Sequence, residues 1–306
     1  MKKVLLATEK PFAPDAVKEI ETIFGKAGYE LVKLESYGDV SEFKEAVKNV
    51  HGLIIRSDNV TKDIIDGAPE LKIVVRGGAG FDNVDCAAAT EKGVTVMNTP
   101  GQNSNAVAEL AMGMAVYAAR NLFTPKSGTE LKDKKIGIHA YGNVGKLVAK
   151  IAKGFGMEVF AFDPFVKRSA IEADGVKVVD SVEELYSTCH YISLYIPAND
   201  KTKKSIHKKL MESMPEGATI INTARKEVIC EDGLKMVLAS RPDFKYLSDI
   251  APVTAEELLK EFPGKVFFTP KKMGAQTNEA NTNAAKASAQ QIVDFFEKGD
   301  ITFKVN

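Results

Sequence analysis

Short apolar runs alternate with amphipathic stretches along the whole chain. The runs are rich in Val, Ile and Leu, which predicts strands buried on both faces, and the stretches between them carry apolar residues at helical spacing. Strands are predicted at residues 4–7, 30–34, 53–55, 73–75, 95–97, 136–139, 159–162, 191–196, 219–222, 246–247 and 266–269, with helices between them such as 15–27, 41–50 and 147–155. Repeated βα units of this kind predict an α/β fold with parallel sheets covered on both faces.

Two longer helical patterns divide the series. Residues 103–120 follow the first five strands, and residues 277–298 follow the last strand. We interpret them as the two passages between two domains, one formed by residues 1–99 with 277–306 and the other by residues 100–276. The first pattern is rich in small residues, which suits either an internal packing seam or a dimer interface.

Composition narrows the class of protein. The 41 basic and 41 acidic residues cancel, so no strong field directs the chain toward nucleic acid or a membrane surface. Cys86, Cys189 and Cys230 are odd in number and far apart, which fits neither a disulfide framework nor a metal site and favours a reducing compartment. The N-terminal apolar run is too short for a signal segment or a membrane span. We therefore expect a cytoplasmic protein without nucleic-acid, membrane or metal partners.

The segment from residue 135 to Asp163 carries the clearest chemical signal. An apolar strand leads into Ala140-Tyr141-Gly142-Asn143-Val144-Gly145, and a striped helix and a second strand follow. Such a unit holds a dinucleotide, because Gly142 lets the main chain approach the pyrophosphate and Gly145 lets the helix pack on the strand. Asp163 lies 18 residues after Gly145, where an acid binds the ribose hydroxyls of NAD and repels the 2′-phosphate of NADP. Ala140 departs from the usual glycine, and a ligand-free crossover is the alternative.

Polar residues gather where predicted strands end, which is where ligands bind in open α/β sheets. Arg56, Arg225 and Asp249 each follow a strand, and residues 269–275 follow the last one. Residues 76–85 contain three glycines that predict a nest of main-chain N–H groups for a carboxylate or phosphate. Taken singly, each is a solvated charge or a flexible turn, and their shared position indicates one site.

These features together resemble the D-isomer-specific 2-hydroxyacid dehydrogenase family over essentially all 306 residues. The resemblance rests on Arg56-Ser57-Asp58-Asn59-Val60-Thr61, residues 76–85, Asn98-Thr99-Pro100, Asn103, Ala108-Glu109, residues 137–145, Asp163-Pro164, residues 193–197, residues 222–225 and Gly274-Ala275. It implies two Rossmann-like doubly wound parallel-sheet domains with an active-site cleft between them, NAD as the cofactor, and a homodimer. Because the printed sequence ends at Asn306, we also expect a form without a C-terminal regulatory domain.

The resemblance also implies a role for each matching residue. Arg225 and Lys272 are expected to be catalytic. Substrate binding falls to Arg56, Ser57, Gly78, Ala79 and Asn103. Cofactor binding falls to Tyr141, Gly142, Asn143, Val144, Gly145, Asp163, Tyr195, Ile196, Pro197, Thr202, Thr223, Ala224, Asp249, Gly274 and Ala275.

The chain departs from the family at its proton-transfer residues. Most relatives carry a histidine base held by a glutamate, whereas counting back from Gly274 places Lys272 at the histidine and Thr254 stands at the glutamate. Counting forward from Thr269 selects Lys271 instead. A lysine acts as a base near neutral pH only if its pKa is lowered from about 10.4 to about 7. Because the unprotonated amine becomes more abundant as the pH rises, we expect an alkaline optimum for oxidation. The four histidines, at 51, 139, 190 and 207, are expected to be packed or superficial.

Within the family, the resemblance is greatest to members that use NAD to oxidise a phosphorylated 2-hydroxy acid, D-3-phosphoglycerate, to 3-phosphohydroxypyruvate, the first step of serine biosynthesis. Arg56 favours this reaction because it matches a phosphate contact. Two alternatives are a glyoxylate or hydroxypyruvate reductase of the same fold and a non-catalytic NAD-sensing binding protein.

Overall fold

The computed structural model describes residues 1–306. The chain divides into two compact units, which we call unit 1 (Met1–Asn103 with Thr277–Asn306) and unit 2 (Ser104–Gln276). The first division lies one residue inside the helical pattern predicted at 103–120, and the second lies directly before the pattern predicted at 277–298.

Unit 1 contains a five-stranded parallel sheet. Its strands are β1 (Lys3–Thr8), β2 (Glu30–Glu35), β3 (Gly52–Ile55), β4 (Ile73–Arg76) and β5 (Thr95–Asn98), and helices α1 (Pro14–Ala27), α2 (Val40–Ala46), α3 (Lys62–Asp66) and α4 (Cys86–Glu91) connect them. The strands are ordered β2-β1-β3-β4-β5. The order reverses at β1, so a ligand crevice is expected where β1 and β3 end.

Unit 2 contains a seven-stranded parallel sheet. It comprises α5 (Ser104–Ala119), β6 (Lys135–His139), α6 (Asn143–Gly154), β7 (Glu158–Phe162), α7 (Arg168–Ala173), β8 (Lys177–Val178), α8 (Val182–Thr188), β9 (Tyr191–Leu194), α9 (Lys208–Glu212), β10 (Thr219–Asn222), α10 (Glu231–Ser240), β11 (Lys245–Ser248), α11 (Ala255–Glu261) and β12 (Val266–Phe268), with single 3₁₀ turns at Asn121–Phe123 and Lys226–Val228. The order is β12-β11-β10-β9-β6-β7-β8. Counted from β6, this is the 3-2-1-4-5-6 order of dinucleotide-binding sheets with one added edge strand.

The last helix, α12 (Asn278–Lys298), belongs to unit 1 and packs on α1. It begins at Thr277, whose side chain accepts a hydrogen bond from the main chain of Ala280, and it ends at Gly299 in a left-handed conformation. In unit 2, α5 packs on α6 through its small residues, with Ala108, Ala111 and Ala115 fully buried. The small-residue stripe of α5 is therefore an internal packing seam.

The predicted parallel α/β architecture is confirmed, with differences at element ends. The strand predicted at 191–196 ends at Leu194, and the helix predicted at 41–50 ends at Ala46. Val47 and Val50 continue the apolar spacing of α2 and are buried, although the chain there has already turned. The edge strand β8 was not predicted, because two residues carry no periodic signal. None of the helices combines the length and the apolar run needed to cross a lipid bilayer.

Candidate functional site

The turn between β6 and α6 has the shape of a phosphate cradle. Ala140 adopts a left-handed φ of 81°, in the region that favours glycine, at a cost of roughly 1–2 kcal/mol for an L-residue. A Cβ at Gly145 would lie 2.5 Å from the Ala140 carbonyl oxygen, so only glycine fits there. A Cβ at Gly142 would have no atom within 4 Å. The space above Gly142 is therefore open to a ligand.

The N-terminus of α6 faces this space without a side-chain cap. Gly142 is the N-cap residue, and Asn143 and Val144 begin the helix with unsatisfied N–H groups. Such groups, together with the positive end of the helix dipole, bind anions. The cradle and the uncapped helix end thus suit one pyrophosphate.

Asp163, at the end of β7, lies half-buried beside the turn. Its Oδ2 accepts a hydrogen bond from Tyr141 N at 2.7 Å, and its Oδ1 accepts from Phe165 N at 2.8 Å and from Val166 N at 3.2 Å. A carboxylate has about four acceptor positions. Asp163 therefore anchors the turn and keeps about one position for a hydroxyl of a ligand.

Two side chains of this segment point into the core instead of toward a ligand. Tyr141 is fully buried, and its hydroxyl donates to Asp174 Oδ2 at 3.1 Å, so only its main chain lies in the turn. His139 is also buried, with Nδ1 lying 3.3 Å from the Tyr186 hydroxyl, and burial lowers the pKa of His139 to about 4. His139 is therefore a neutral core residue at physiological pH.

The loop after β9 is closed by local hydrogen bonds. Tyr195 N donates to the His139 carbonyl at 2.9 Å, and the Tyr195 hydroxyl lies 2.5 Å from Ser193 Oγ. Thr202 closes the loop through its hydroxyl, which donates to the Pro197 carbonyl. Ile196 is buried and Pro197 is exposed. The loop thus places its predicted cofactor residues at the end of the strand adjacent to β6.

Arg225 is held through its main chain by Asn222. The fully buried Asn222 amide donates to the Arg225 carbonyl at 3.0 Å and accepts from Ala224 N at 3.0 Å. The same amide donates to the Tyr246 hydroxyl at 3.1 Å, and the Arg225 guanidinium donates to the Ala224 carbonyl at 2.9 Å. Thr223 and Ala224 are buried, whereas Arg225 is half-buried. The end of β10 therefore presents one arginine from a rigid turn.

Asp249, at the end of β11, is fully buried and divides its two oxygens between different tasks. Oδ2 accepts from Gly274 N at 2.7 Å and from Met273 N at 3.2 Å. Oδ1 is buried and receives no hydrogen bond. An unsatisfied buried carboxylate oxygen is costly, so Oδ1 suits a ligand that brings an N–H donor. Gly274 is tightly packed, because a Cβ there would lie 3.0 Å from Asp249 Oδ2 and 3.2 Å from Val107.

Lys272 stands between two anchored residues of the same loop. The Lys271 carbonyl accepts from the Thr269 hydroxyl at 2.6 Å, and the N–H of Met273 binds Asp249. Both Lys271 and Lys272 are exposed, and Ala275 is half-buried. These two anchors fix the main chain on each side of Lys272.

Thr254, which replaces the family glutamate, binds a different glutamate. Its hydroxyl donates to Glu231 Oε2 at 2.7 Å, and its N–H donates to the same oxygen at 2.9 Å. Val253 N donates to Glu231 Oε1 at 3.0 Å. Hydrogen bonds from Thr254 and Val253 oppose the effect of burial and hold the pKa of Glu231 below its usual value. Glu231, the first residue of α10, thus supplies the carboxylate that anchors the loop at Val253 and Thr254.

In unit 1, Arg56 lies half-buried just after β3. Its Nη1 donates to the Pro11 carbonyl at 3.1 Å, its Nη2 donates to Asn281 Oδ1 at 2.8 Å, and its guanidinium lies 5.0 Å from the centre of the Phe12 ring. Burial lowers the pKa of Arg56, and the charge of Asp58 opposes that effect. A guanidinium has five N–H donors, so several remain for an anionic ligand.

The glycine loop after β4 corrects part of the prediction. The N–H groups of Gly77 and Gly78 donate to the carbonyls of Ile55 and Arg76, both at 2.8 Å, so these two glycines do not form a free nest. Gly78, with a φ of 150°, instead provides room for Arg76, because a Cβ there would lie 1.7 Å from that guanidinium. The exposed Ala79 is the member of the predicted Gly78–Ala79 pair whose N–H is left for a ligand.

Several residues that hold the site were not predicted as site residues. The Asn98 amide donates to the Ala79 carbonyl at 2.7 Å and so orients that loop, and Asn222 and Asp58 play similar parts around Arg225 and Arg56. A polar residue at the buried end of a strand is the signal that could have found Asn98 and Asn222. The predicted substrate residues Ser57 and Asn103 are exposed and half-buried, respectively.

The family model of the D-isomer specific 2-hydroxyacid dehydrogenase catalytic domain matches residues 5–306. The D-3-phosphoglycerate dehydrogenase of Methanocaldococcus jannaschii is 34% identical over 306 residues, which covers 94% of this chain and 56% of that protein. The hydroxypyruvate reductase of Thermotoga maritima is 35% identical over 281 residues, covering 86% and 90%. Among solved structures, an NAD⁺-bound 3-phosphoglycerate dehydrogenase of Entamoeba histolytica is 44% identical, with a TM-score of 0.89 and coverage of 100% and 98%.

The chain spans about half the length of some of these relatives. It covers 56% of the Methanocaldococcus protein and 52% of the D-3-phosphoglycerate dehydrogenase of Synechocystis.

Proposed function

Because the chain belongs to the D-isomer specific 2-hydroxyacid dehydrogenase family, we propose that it interconverts D-3-phosphoglycerate and 3-phosphohydroxypyruvate with NAD as the cofactor. The observation that carries the choice of substrate is the half-buried Arg56, whose guanidinium is fixed by the Pro11 carbonyl and by Asn281. A planar, permanently charged fork of this kind recognises a phosphoryl group. The names of the Methanocaldococcus and Entamoeba proteins support the same substrate.

The residues of unit 2 fit NAD. The open space at Gly142 and the uncapped start of α6 suit the pyrophosphate, and the remaining acceptor position of Asp163 suits a ribose hydroxyl. The unsatisfied Asp249 Oδ1 suits the carboxamide N–H of the nicotinamide. The negative charge of Asp163 favours NAD over NADP, since a 2′-phosphate would meet a like charge.

In this proposal, NAD supplies the acceptor for the hydride that leaves C2. Arg225 binds the substrate carboxylate and the oxygen on C2, and Asn222 keeps Arg225 in place through the main chain. Lys272 accepts the proton of the C2 hydroxyl during oxidation and returns it during reduction. Ala79 N–H assists in holding the carboxylate, and Arg56 holds the phosphoryl group.

A lysine in the proton-transfer role favours the reductive direction at neutral pH. A lysine is an ammonium ion near pH 7 unless it is desolvated, so it is ready to donate a proton to the developing alkoxide. As a base it must first lose that proton. We therefore expect oxidation to have an alkaline optimum, as a lysine base requires.

The two exposed lysines provide a matched pair of variants. General acid–base catalysis contributes about 10²–10⁴-fold. Lys272→Ala should therefore lower kcat by at least about 100-fold and leave the Kd of NADH unchanged, whereas Lys271→Ala should retain most activity. Steady-state kinetics with phosphohydroxypyruvate measure both. A nearly normal kcat for Lys272→Ala excludes it as the proton-transfer residue.

The substrate is tested by the initial rates of NADH oxidation with phosphohydroxypyruvate, hydroxypyruvate and glyoxylate. The proposal expects the highest kcat/KM with phosphohydroxypyruvate. The Thermotoga protein, 90% of which is covered, makes hydroxypyruvate reduction the second candidate, and a preference for the unphosphorylated acids would establish it. NADH binding without turnover of any keto acid would indicate a cofactor-sensing protein.

The proposal assigns cofactor binding to residues 100–276 and substrate binding to residues 1–99 with 277–306. It also includes a homodimer, which sedimentation equilibrium of the purified protein tests. The expected location is the cytoplasm.

A further inference from the structure

Asp58 is a buried carboxylate at the ends of three parallel strands of unit 1. Its side chain is 4% exposed. Oδ1 accepts hydrogen bonds from Glu9 N at 2.6 Å and from the Tyr37 hydroxyl at 2.8 Å, and Oδ2 accepts from Arg56 N at 3.3 Å. These donors follow β1, β2 and β3, so one side chain joins all three strand ends at the point where the strand order reverses.

Two of the three hydrogen bonds of Asp58, from Glu9 N and from Arg56 N, bear on Arg56. The loop that begins at Glu9 also supplies the Pro11 carbonyl and the Phe12 ring that hold the Arg56 guanidinium. The Asn83 amide completes the arrangement, because it donates to the carbonyls of Arg56 at 3.2 Å and of Asp58 at 2.6 Å. Both the main chain of Arg56 and the surroundings of its guanidinium therefore depend on Asp58.

We propose that Asp58 is a positioning residue that fixes Arg56 for the phosphoryl group of the substrate and so sets the preference for a phosphorylated over an unphosphorylated acid. The inference rests on the proposed function. An arginine that is fixed before binding loses little side-chain freedom when the anion arrives, so more of the contact contributes to affinity. The hydrogen bonds of the Asp58 carboxylate come from protein groups, so the proposal assigns it no contact with the substrate.

The geometry requires a carboxylate. All three groups that face Asp58 are donors, and both of its oxygens accept. An amide has only one accepting oxygen, so Asp58→Asn must turn its NH₂ group toward Arg56 N or toward Glu9 N. Either the main chain of Arg56 or the loop from Glu9 that holds its guanidinium therefore loses its acceptor.

The decisive quantity is the selectivity ratio, kcat/KM for phosphohydroxypyruvate divided by kcat/KM for hydroxypyruvate, which lacks only the phosphoryl group. A displacement of about 1 Å can reduce rates about 10²-fold, so Asp58→Asn should lower the ratio by about 10- to 100-fold. Its KM for NADH and its kcat/KM for hydroxypyruvate should stay within about twofold of the wild type. Asp63→Asn, at an exposed acid of α3, controls for the loss of one negative charge.

A double-mutant cycle tests whether Asp58 acts through Arg56. Arg56→Gln should abolish the selectivity, and adding Asp58→Asn should then change nothing further, because residues that act through one another are not additive. Asn83→Ala leaves the carboxylate in place and should reduce the ratio in the same direction, which gives a second test if Asp58→Asn does not fold.

The outcomes separate the two proposals. If the wild type prefers phosphohydroxypyruvate and Asp58→Asn, or Asn83→Ala in its place, keeps that preference, the role of Asp58 is refuted and the proposed function stands. An equal loss with both substrates refutes it as well, since it indicates a purely structural residue. A wild type without any preference for the phosphorylated acid overturns both.

Discussion

Gly142 and Gly145 lie three residues apart, and alanine at each should produce a different defect. Gly142→Ala should weaken NADH binding, and Gly145→Ala should lower stability. A Cβ at Gly145 would lie 2.5 Å from the Ala140 carbonyl oxygen, well inside the 3.4 Å at which ordinary van der Waals contact begins. The obstacle is main chain, so it cannot rotate away. At Gly142 the φ of −81° suits alanine, and a Cβ would meet no atom within 4 Å.

The expected magnitudes follow from these distances. Overpacking costs about 1–3 kcal/mol, and a domain of this size loses about 2–4 °C per kcal/mol, so Gly145→Ala should lower Tm by about 2–12 °C. Gly142→Ala should leave Tm within about 1 °C, because nothing in the fold is displaced. The new methyl group should instead keep the pyrophosphate away from the main chain. Hydrogen bonds to a charged group contribute about 1.5–3 kcal/mol, so the Kd of NADH should rise about 10- to 100-fold.

Thermal unfolding without ligand and fluorescence titration with NADH measure the two quantities on the same samples. We expect a stable Gly142→Ala variant that binds NADH poorly and a destabilised Gly145→Ala variant. If Gly142→Ala bound NADH as tightly as the wild type, the pyrophosphate would not lie over this turn, and the cofactor site would have to be sought elsewhere.

Three further predictions concern neighbouring residues. Asp249→Asn can keep its oxygen toward Met273 N and Gly274 N while turning an NH₂ group to the unsatisfied side. The affinity for NADH should therefore fall about 10-fold or more in a fluorescence titration, with little loss of Tm in thermal unfolding. Unchanged affinity would contradict the carboxamide contact. Ala140→Gly relieves a left-handed conformation that costs an L-residue roughly 1–2 kcal/mol, but it also makes the unfolded chain more favourable by about 0.4–1 kcal/mol. Urea unfolding should therefore show that the free energy of unfolding rises by about 0.5–1 kcal/mol. The affinity for NADH should be unchanged, because the turn already has its final shape. The pKa of His139 is lowered by burial from 6.5 to about 4, so the unfolded chain binds an extra proton between these values and stability should fall as the pH drops through this window, by up to about 3 kcal/mol. His139→Gln should remove that part of the pH dependence in urea titrations at pH 4–7, and an unchanged slope would show that other groups cause it.

The sheets could be predicted because buried parallel strands have short apolar runs in their sequence. The strand predicted at 219–222 has the same limits in the structure, and most others differ by one residue. Element ends were less accessible, because Val47 and Val50 are buried by a turn that imitates helical spacing. The two-residue strand β8 is defined by its neighbour β7 rather than by its own composition.

The site could be predicted where one residue acts close to its own strand, as with Gly145, Arg56 and Asp163. It could not be predicted where distant loops meet. The bond from Glu9 N to Asp58 joins residues 49 apart, and nothing in either local sequence indicates it. The hydrogen bond of the Gly77 N–H was not predicted for the same reason, since its acceptor, the Ile55 carbonyl, belongs to a neighbouring strand.

The three main-chain bonds of Asp163 have a consequence for redesigning cofactor preference. A variant aimed at NADP would replace this acid by a neutral or basic residue, but the same replacement would release Tyr141, Phe165 and Val166 at once. In the proposed function, Asp163 both repels the 2′-phosphate of NADP and holds the turn through its hydrogen bonds. A successful redesign must therefore supply a new acceptor for those amides from another position before the charge is removed.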